Sequence, residues 1–221
     1  MDVVAESSGV FYDDLTPEER RLRGFQPGSY SWENFRNEVY GALNTRYSQG
    51  RVRLGNKCIH VGGTGDRLNA DVIPYCEYRA YGAGGYAKGI TFWTRSGIQV
   101  VNYPQLHYES GTRKNNACGG NYKAMTRVFK SARNAAGSDL PSYFLECLLY
   151  NVSSFRFSGN HQSMFHGILV ELLESSSNGS KAQWMCQNGV QWIYGGAMHQ
   201  TDLSSANRLL DALLSLWSNW R

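Results

Sequence analysis

The hydrophobic pattern of this chain changes its period along its length, and no all-α or all-β architecture accommodates both periods. Between residues 31 and 50, Trp32, Phe35, Val39 and Leu43 return at three- and four-residue steps, the spacing of one helix face, with Ser31 as its cap and Gly50 as its stop. From Lys57 the period is two, and residues 57–61, 69–75, 90–94 and 98–103 read as strands, with Ser96-Gly97 as a hairpin turn. Beyond about His107 the helical period returns, with helices expected at 120–134, 141–152, 161–175 and 202–220. In the last of these Leu203, Ala206, Leu210, Leu213 and Trp217 form a stripe wide enough to pack on a domain. Upstream, Asp2-Val3-Val4 reads as the interior of a strand, and Thr16-Pro17-Glu18-Glu19 supplies a capping box with proline at the first helical position. A sheet-rich first half followed by a helical second half, with no repeat or linker between them, is an α+β chain.

Composition sets the outer bounds. With 42% hydrophobic and 18% charged residues over 221 positions, the chain is neither a disordered tail nor a coiled coil, and it fills one domain or two small ones. Twenty-two basic against 18 acidic residues give a charge of +4, too mild to demand a nucleic-acid partner. No run approaches the ~20 apolar residues of a bilayer crossing, and no basic-then-apolar leader opens the sequence, so a cytoplasmic protein with no membrane partner is expected. Cys58, Cys76, Cys118, Cys147 and Cys186 are odd in number and include no CxxC pair, so they read as reduced, buried thiols rather than a disulfide framework or zinc knuckle. The histidines, His60 and His107 among them, fall in no catalytic spacing and read as ordinary polar residues. Gly62-Gly63-Thr64-Gly65 has no P-loop lysine after it and reads as a flexible strand connection, as does the stretch 82–89.

Three places carry candidate chemistry. Asp71, within Ala70-Asp71-Val72-Ile73-Pro74, is an acid in an apolar strand and requires a cation or donors to compensate it. Asp2 has the same setting, and two strand carboxylates side by side would hold a hard divalent ion such as Mg²⁺. On the 120–134 helix Lys123, Arg127, Lys130 and Asn134 share one face, opposite Tyr122, Met125, Phe129 and Ala132. In Asp139-Leu140-Pro141-Ser142-Tyr143, a proline near the first helical position puts the Ser142 hydroxyl and free amides at the positive end of a helix dipole, which suits a phosphate. Tyr143 beside it offers an aromatic face to a base, or packs on the core.

These segments, taken in order with Arg67 to Pro74, Gly89-Ile90-Thr91-Phe92, Val101-Asn102-Tyr103-Pro104 with His107, and Pro141 to Glu146, resemble the DNA polymerase beta-like nucleotidyltransferases. The resemblance is to the branch of oligoadenylate synthetase, cyclic GMP-AMP synthase and the bacterial CD-NTases. It implies a nucleotidyltransferase palm with a mixed β-sheet, incomplete at the N-terminus, over residues 1–106, packed on a C-terminal helical nucleotide-binding bundle over 107–221. It also implies that Asp2 and Asp71 are catalytic and metal-binding acids, that Lys130 contacts the triphosphate, and that Ser142 and Tyr143 touch phosphate and stack the base. The activity implied is Mg²⁺-dependent (or Mn²⁺-dependent) nucleotidyl transfer from ATP or GTP, giving cyclic or linear oligonucleotide second messengers that act on a separate effector protein in anti-phage signalling. No Cys/His zinc insertion is present, so a nucleic-acid activator is not indicated. The family's Gly-Ser motif and a further metal Asp belong upstream of Asp2 and are not in this sequence, so low activity is expected of the chain as written. Two readings of that remain open: a piece of a longer active enzyme, or a non-catalytic nucleotide- or RNA-binding relative.

Overall fold

A mixed sheet forms where the period is two, and its longest strand organises the rest. The computed structural model describes residues 2–47, 50–197 and 200–219, and the side chains of all of these except Asp2 and Ser8. The chain divides into two compact units, Met1–Tyr103 and Pro104–Arg221.

The first unit contains β1 (Asp2–Asp13), α1 (Pro17–Leu22), α2 (Trp32–Arg46), β2 (Val52–Leu54), β3 (Ile59–Val61), β4 (Ala70–Gly82), β5 (Gly85–Trp93) and β6 (Gln99–Asn102). The strand order is β2-β3-β4-β5-β6, antiparallel at each step, and β1 joins β4 in parallel. The β1–β4 register sets Asp2 opposite Asp71 and slips between Ser7 and Phe11, where Gly9 takes a φ of 83° that a side chain would strain. Helix α1 begins at the expected capping box, in which the Glu19 amide donates to Thr16 Oγ1 (3.3 Å) and Glu19 Oε2 accepts from the Thr16 amide (2.8 Å). Helix α2 is fastened to the sheet through Trp32, 8% exposed, whose indole N–H donates to the Pro74 carbonyl at 2.8 Å. Its Val39 and Leu43 cover the buried cluster Val52, Ile59, Val61 and Val72.

The second unit contains α3 (Pro104–Ala117), α4 (Asn121–Ala135), α5 (Ser142–Tyr150), α6 (His161–Ser177) and α7 (Leu203–Ser218). The apolar face of α4 is buried at Tyr122, Met125, Phe129 and Ala132, as its period requires. Helix α5 buries Phe144, Leu145, Cys147, Leu148 and Leu149 and so runs through the middle of the core. Among the described residues no helix is long and apolar enough to cross a membrane.

Four expectations change. The stretch 82–89 is not a flexible connection: a tight turn at Gly82–Gly85 leads straight into β5, whose residues pair with β4 up to Thr91 opposite Cys76. Leu203 is 40% exposed because it is the first residue of α7, ahead of the turns that pack, and Leu209 takes its place in the buried stripe. The helix expected over 141–152 spans Ser142–Tyr150, with Pro141 as its N-cap, next to the first helical position as expected. Four cysteines are buried, but Cys58 is half-exposed, since it lies in the bend before β3 rather than within the sheet.

Candidate active-site residues in the two units

On β3 and β4 the strand alternation sends Ile59, Val61 and Val72 into the core and leaves His60 and Asp71 on the other face, with Cys58 in the bend just before β3. Asp71 lies opposite His60 in the antiparallel β3–β4 register and opposite Asp2 in the parallel β1–β4 register. The Asp2 backbone is therefore adjacent to Asp71, while its side chain lies outside the described part. His60 Nδ1 and Asp71 Oδ1 are 2.5 Å apart, with the two side chains 39% and 45% exposed. The donor that an acid in an apolar strand requires is thus a histidine, His60. Cys58 Sγ stands 3.7 Å from each ring nitrogen of His60.

The second unit gathers a separate cluster around Glu146 of α5. Its carboxylate accepts from Lys130 Nζ of α4 at 2.5 Å and lies 2.8 Å from His107 Nε2 of α3. Burial pushes the Glu146 carboxyl up, but the hydrogen bonds and charges of His107 and Lys130 outweigh it and keep the acid below its ordinary range. Tyr122 donates to the Glu146 carbonyl at 2.8 Å and bonds the Gln187 side chain, whose amide N–H₂ donates to the His107 carbonyl at 2.7 Å. Burial raises the Tyr122 phenol, so it remains a neutral donor.

These residues line a cleft of about 290 Å³ whose rim carries Lys123, Arg127 and Lys130. Lys123 and Arg127 are exposed, whereas Lys130 is half-buried and bound to Glu146, so the expected basic stripe has one member anchored in the wall of the cleft. Ser142 is exposed at the start of α5, where its Oγ accepts from Arg133 at 3.4 Å. Tyr143 is half-buried against the core: its ring stacks on His107 at 5.0 Å and 27°, and its hydroxyl accepts from Asn188 at 3.0 Å. His107 thus covers one face of the ring, and burial holds the phenol well above its ordinary range. Lys130, Ser142 and Tyr143 belong to the helical unit, and Asp2 and Asp71 to the sheet unit.

Residues 109–218 match the cGAS/DncV-like nucleotidyltransferase C-terminal helical domain. Across the whole chain, a cyclic UMP-AMP synthase of Rhodothermus marinus is 37% identical over 232 residues, covering 100% of this chain and 78% of that protein. The chain belongs to the CD-NTases. The solved CdnE c-UMP-AMP synthase of Rhodothermus marinus with Apcpp and Upnpp superimposes on this CD-NTase with a TM-score of 0.88 at 36% identity, over 99% of this chain and 77% of that one. The CdnE cyclic dinucleotide synthase of Elizabethkingia meningoseptica with GTP and Apcpp gives a TM-score of 0.77 at 27% identity, again over 99% and 77%. The mixed sheet and helical unit of this CD-NTase are therefore those of its family, as the motifs implied.

Proposed function

We propose that this CD-NTase is a cyclic or linear oligonucleotide synthase that joins nucleoside triphosphates, ATP and GTP among them, by Mg²⁺-dependent (or Mn²⁺-dependent) nucleotidyl transfer. The observation that carries the reading is the cationic cleft of the helical unit, with Lys130 fixed by Glu146 and flanked by Lys123 and Arg127. An ammonium has three donors and Glu146 takes one, so Lys130 keeps donors for a triphosphate while its position is set by the carboxylate. Ser142 adds a hydroxyl and the first-turn amides of α5, groups that bind phosphate oxygens. Tyr143, its hydroxyl fixed by Asn188, would meet a nucleobase through the part of its ring that His107 and the core leave exposed.

Asp71 suits the metal role. It is half-exposed, it carries a second oxygen beyond the one bonded to His60, and its register neighbour is another aspartate, Asp2. Magnesium bound there would neutralise charge on the reacting phosphate and on the departing pyrophosphate. In this reading the cations of the helical unit bind the triphosphate, and the carboxylates of the sheet unit would hold the metal ions. Family membership also supports a product that acts as a second messenger, and we propose that it acts on a separate effector protein in anti-phage signalling. The two solved relatives named above hold different nucleotides, Apcpp with Upnpp in one and GTP with Apcpp in the other, and the experiment below identifies the bases of this chain's product.

The protein, expressed as its gene encodes it, is incubated with ATP, GTP, CTP and UTP singly and in pairs, and the products are separated and weighed. Cyclic or short linear oligonucleotides are expected with Mg²⁺ and none with EDTA. Asp71→Asn is expected to lower product formation by at least about 100-fold, the scale set by loss of a metal-binding acid. Lys130→Ala is expected to weaken triphosphate binding by about 10–100-fold, the loss of one charge-assisted hydrogen bond. Unchanged triphosphate affinity in Lys130→Ala would refute its assignment.

A further inference from the structure

Asp71 has beside it two donors for which a magnesium site has no use. Cys58 lies in the bend just before β3, with its sulfur 3.7 Å from the ring nitrogens of His60, and Asp71 is the cross-strand partner of His60. One donor atom from each residue, a thiol sulfur, an imidazole nitrogen and a carboxylate oxygen, falls within 4.8 Å of the other two. Magnesium takes oxygen ligands, whereas a set containing thiolate and imidazole selects zinc and similar softer ions.

We propose that Cys58, His60 and Asp71 form a binding site for a soft divalent cation, zinc above all others. Zinc bonds of about 2.3 Å to sulfur and about 2.0–2.2 Å to nitrogen and oxygen put neighbouring tetrahedral ligands roughly 3.3–3.7 Å apart. The separation of Cys58 Sγ from His60 Nδ1, 3.7 Å, already meets that spacing. The His60–Asp71 pair, 2.5 Å apart, must open by about 1 Å as the ion replaces the shared hydrogen. The thiol gives up its proton on binding, and water completes the coordination.

The ring is held in place for this. A Cβ on Gly55 would stand 2.9 Å from both His60 Cδ2 and the Cys58 carbonyl oxygen, so the bare backbone of Gly55 packs against the ring edge remote from Asp71. The Gly55 amide donates to that Cys58 carbonyl at 2.8 Å, which ties the turn carrying the sulfur to the same support. All three side chains are half-exposed, so an ion has access from solvent, whereas the other four cysteines are buried. The consequence rests on the proposed function: zinc in this site takes Asp71 from the metal that nucleotidyl transfer requires and so stops the reaction.

The test starts with the metal alone. The protein, freed of metal by chelation, is titrated with Zn²⁺ by calorimetry without nucleotide, and separately with Co²⁺, whose spectrum shows a near-ultraviolet charge-transfer band when a thiolate is a ligand. One zinc per chain and a cobalt–thiolate band are expected. In Cys58→Ser the band should vanish and zinc affinity fall at least tenfold, with an unchanged melting temperature as the check that the variant is folded. Absence of stoichiometric zinc binding, or wild-type affinity in Cys58→Ser, overturns the proposal. A second arm measures product formation against zinc concentration, where wild type should be inhibited and Cys58→Ser should require at least tenfold more zinc. Zinc binding that depends on Cys58 in a protein that makes no product upholds the site and refutes the proposed function. Product formation without zinc binding does the reverse.

Discussion

Two carboxylates with opposite surroundings define this protein at the scale of single residues. Asp71 is half-exposed with one histidine beside it, while Glu146 lies between a lysine and a histidine in a cleft wall. Because Glu146 in the folded chain titrates below the 4.5 of an unperturbed glutamate, the unfolded chain binds its proton first as acid is added. The stability from this pairing is therefore complete above that value and disappears as pH falls through the folded one. Glu171, held by the Ser153 amide and hydroxyl and by Arg156 against the raising effect of burial, acts in the same direction. The urea midpoint is expected to be unaffected by these two acids from neutral pH down to about 4.5 and to fall below it, and Glu146→Gln should show a lower midpoint at neutral pH with a shallower decline in acid. Parallel declines in the two proteins would remove Glu146 from the acid response. Asp71 and Lys130 stood out in the sequence because an acid in an apolar strand and a cation on an amphipathic helix break a local pattern. The histidine beside Asp71 did not, because His60 acquires meaning only through strand register, and Gln187, which bonds Tyr122 and His107, acquires its own only through helix packing.

At the scale of elements, chemistry that sits next to an end was legible and length set by pairing was not. Thr16, Ser31 and Asp202 mark their helices because each side chain bonds an amide three residues on. Strand β2, three residues long, is too short to show a period. Strand β1 continues past Val4 through Ala5, Glu6 and Ser7, residues of modest strand preference, because β4 supplies a partner for them. Between helices, Gly111 of α3 is buried, and a Cβ there would meet the Gln187 amide that joins α3 to Tyr122 of α4. Gly111→Ala is expected to destabilise the protein by about 1–3 kcal/mol through this overpacking, read as a lowered melting temperature. Thr112→Ala, next along the same helix, serves as the comparison. A Gly111→Ala protein as stable as wild type would show that the Gln187 bridge yields freely.

For the whole molecule, the α+β class and the family were legible because changes of period and ordered motifs survive without knowledge of any contact. Ligand binding is the property to measure at this scale, since a nucleotide that binds the folded chain alone stabilises it by mass action. At a concentration 100 times its dissociation constant, ATP with Mg²⁺ is expected to add about 2.7 kcal/mol, a rise of roughly 5–11 °C in melting temperature for a chain of this size. The rise should be absent in a protein that binds no nucleotide, and smaller in Lys130→Ala at the same concentration. The parallel pairing of β1 with β4 has a further consequence in time. Its partners run from Asp2 with Asp71 to Asp13 with Arg79, so β1 is synthesised about 70 residues before the strand that completes it. At roughly 5–20 residues per second, a ribosome leaves β1 without that partner for about 4–14 s. Val3 and Val4 remain 38% and 59% exposed even after folding. The nascent chain therefore presents an apolar strand to chaperones, or to its neighbours on the same messenger, for several seconds of every round of translation.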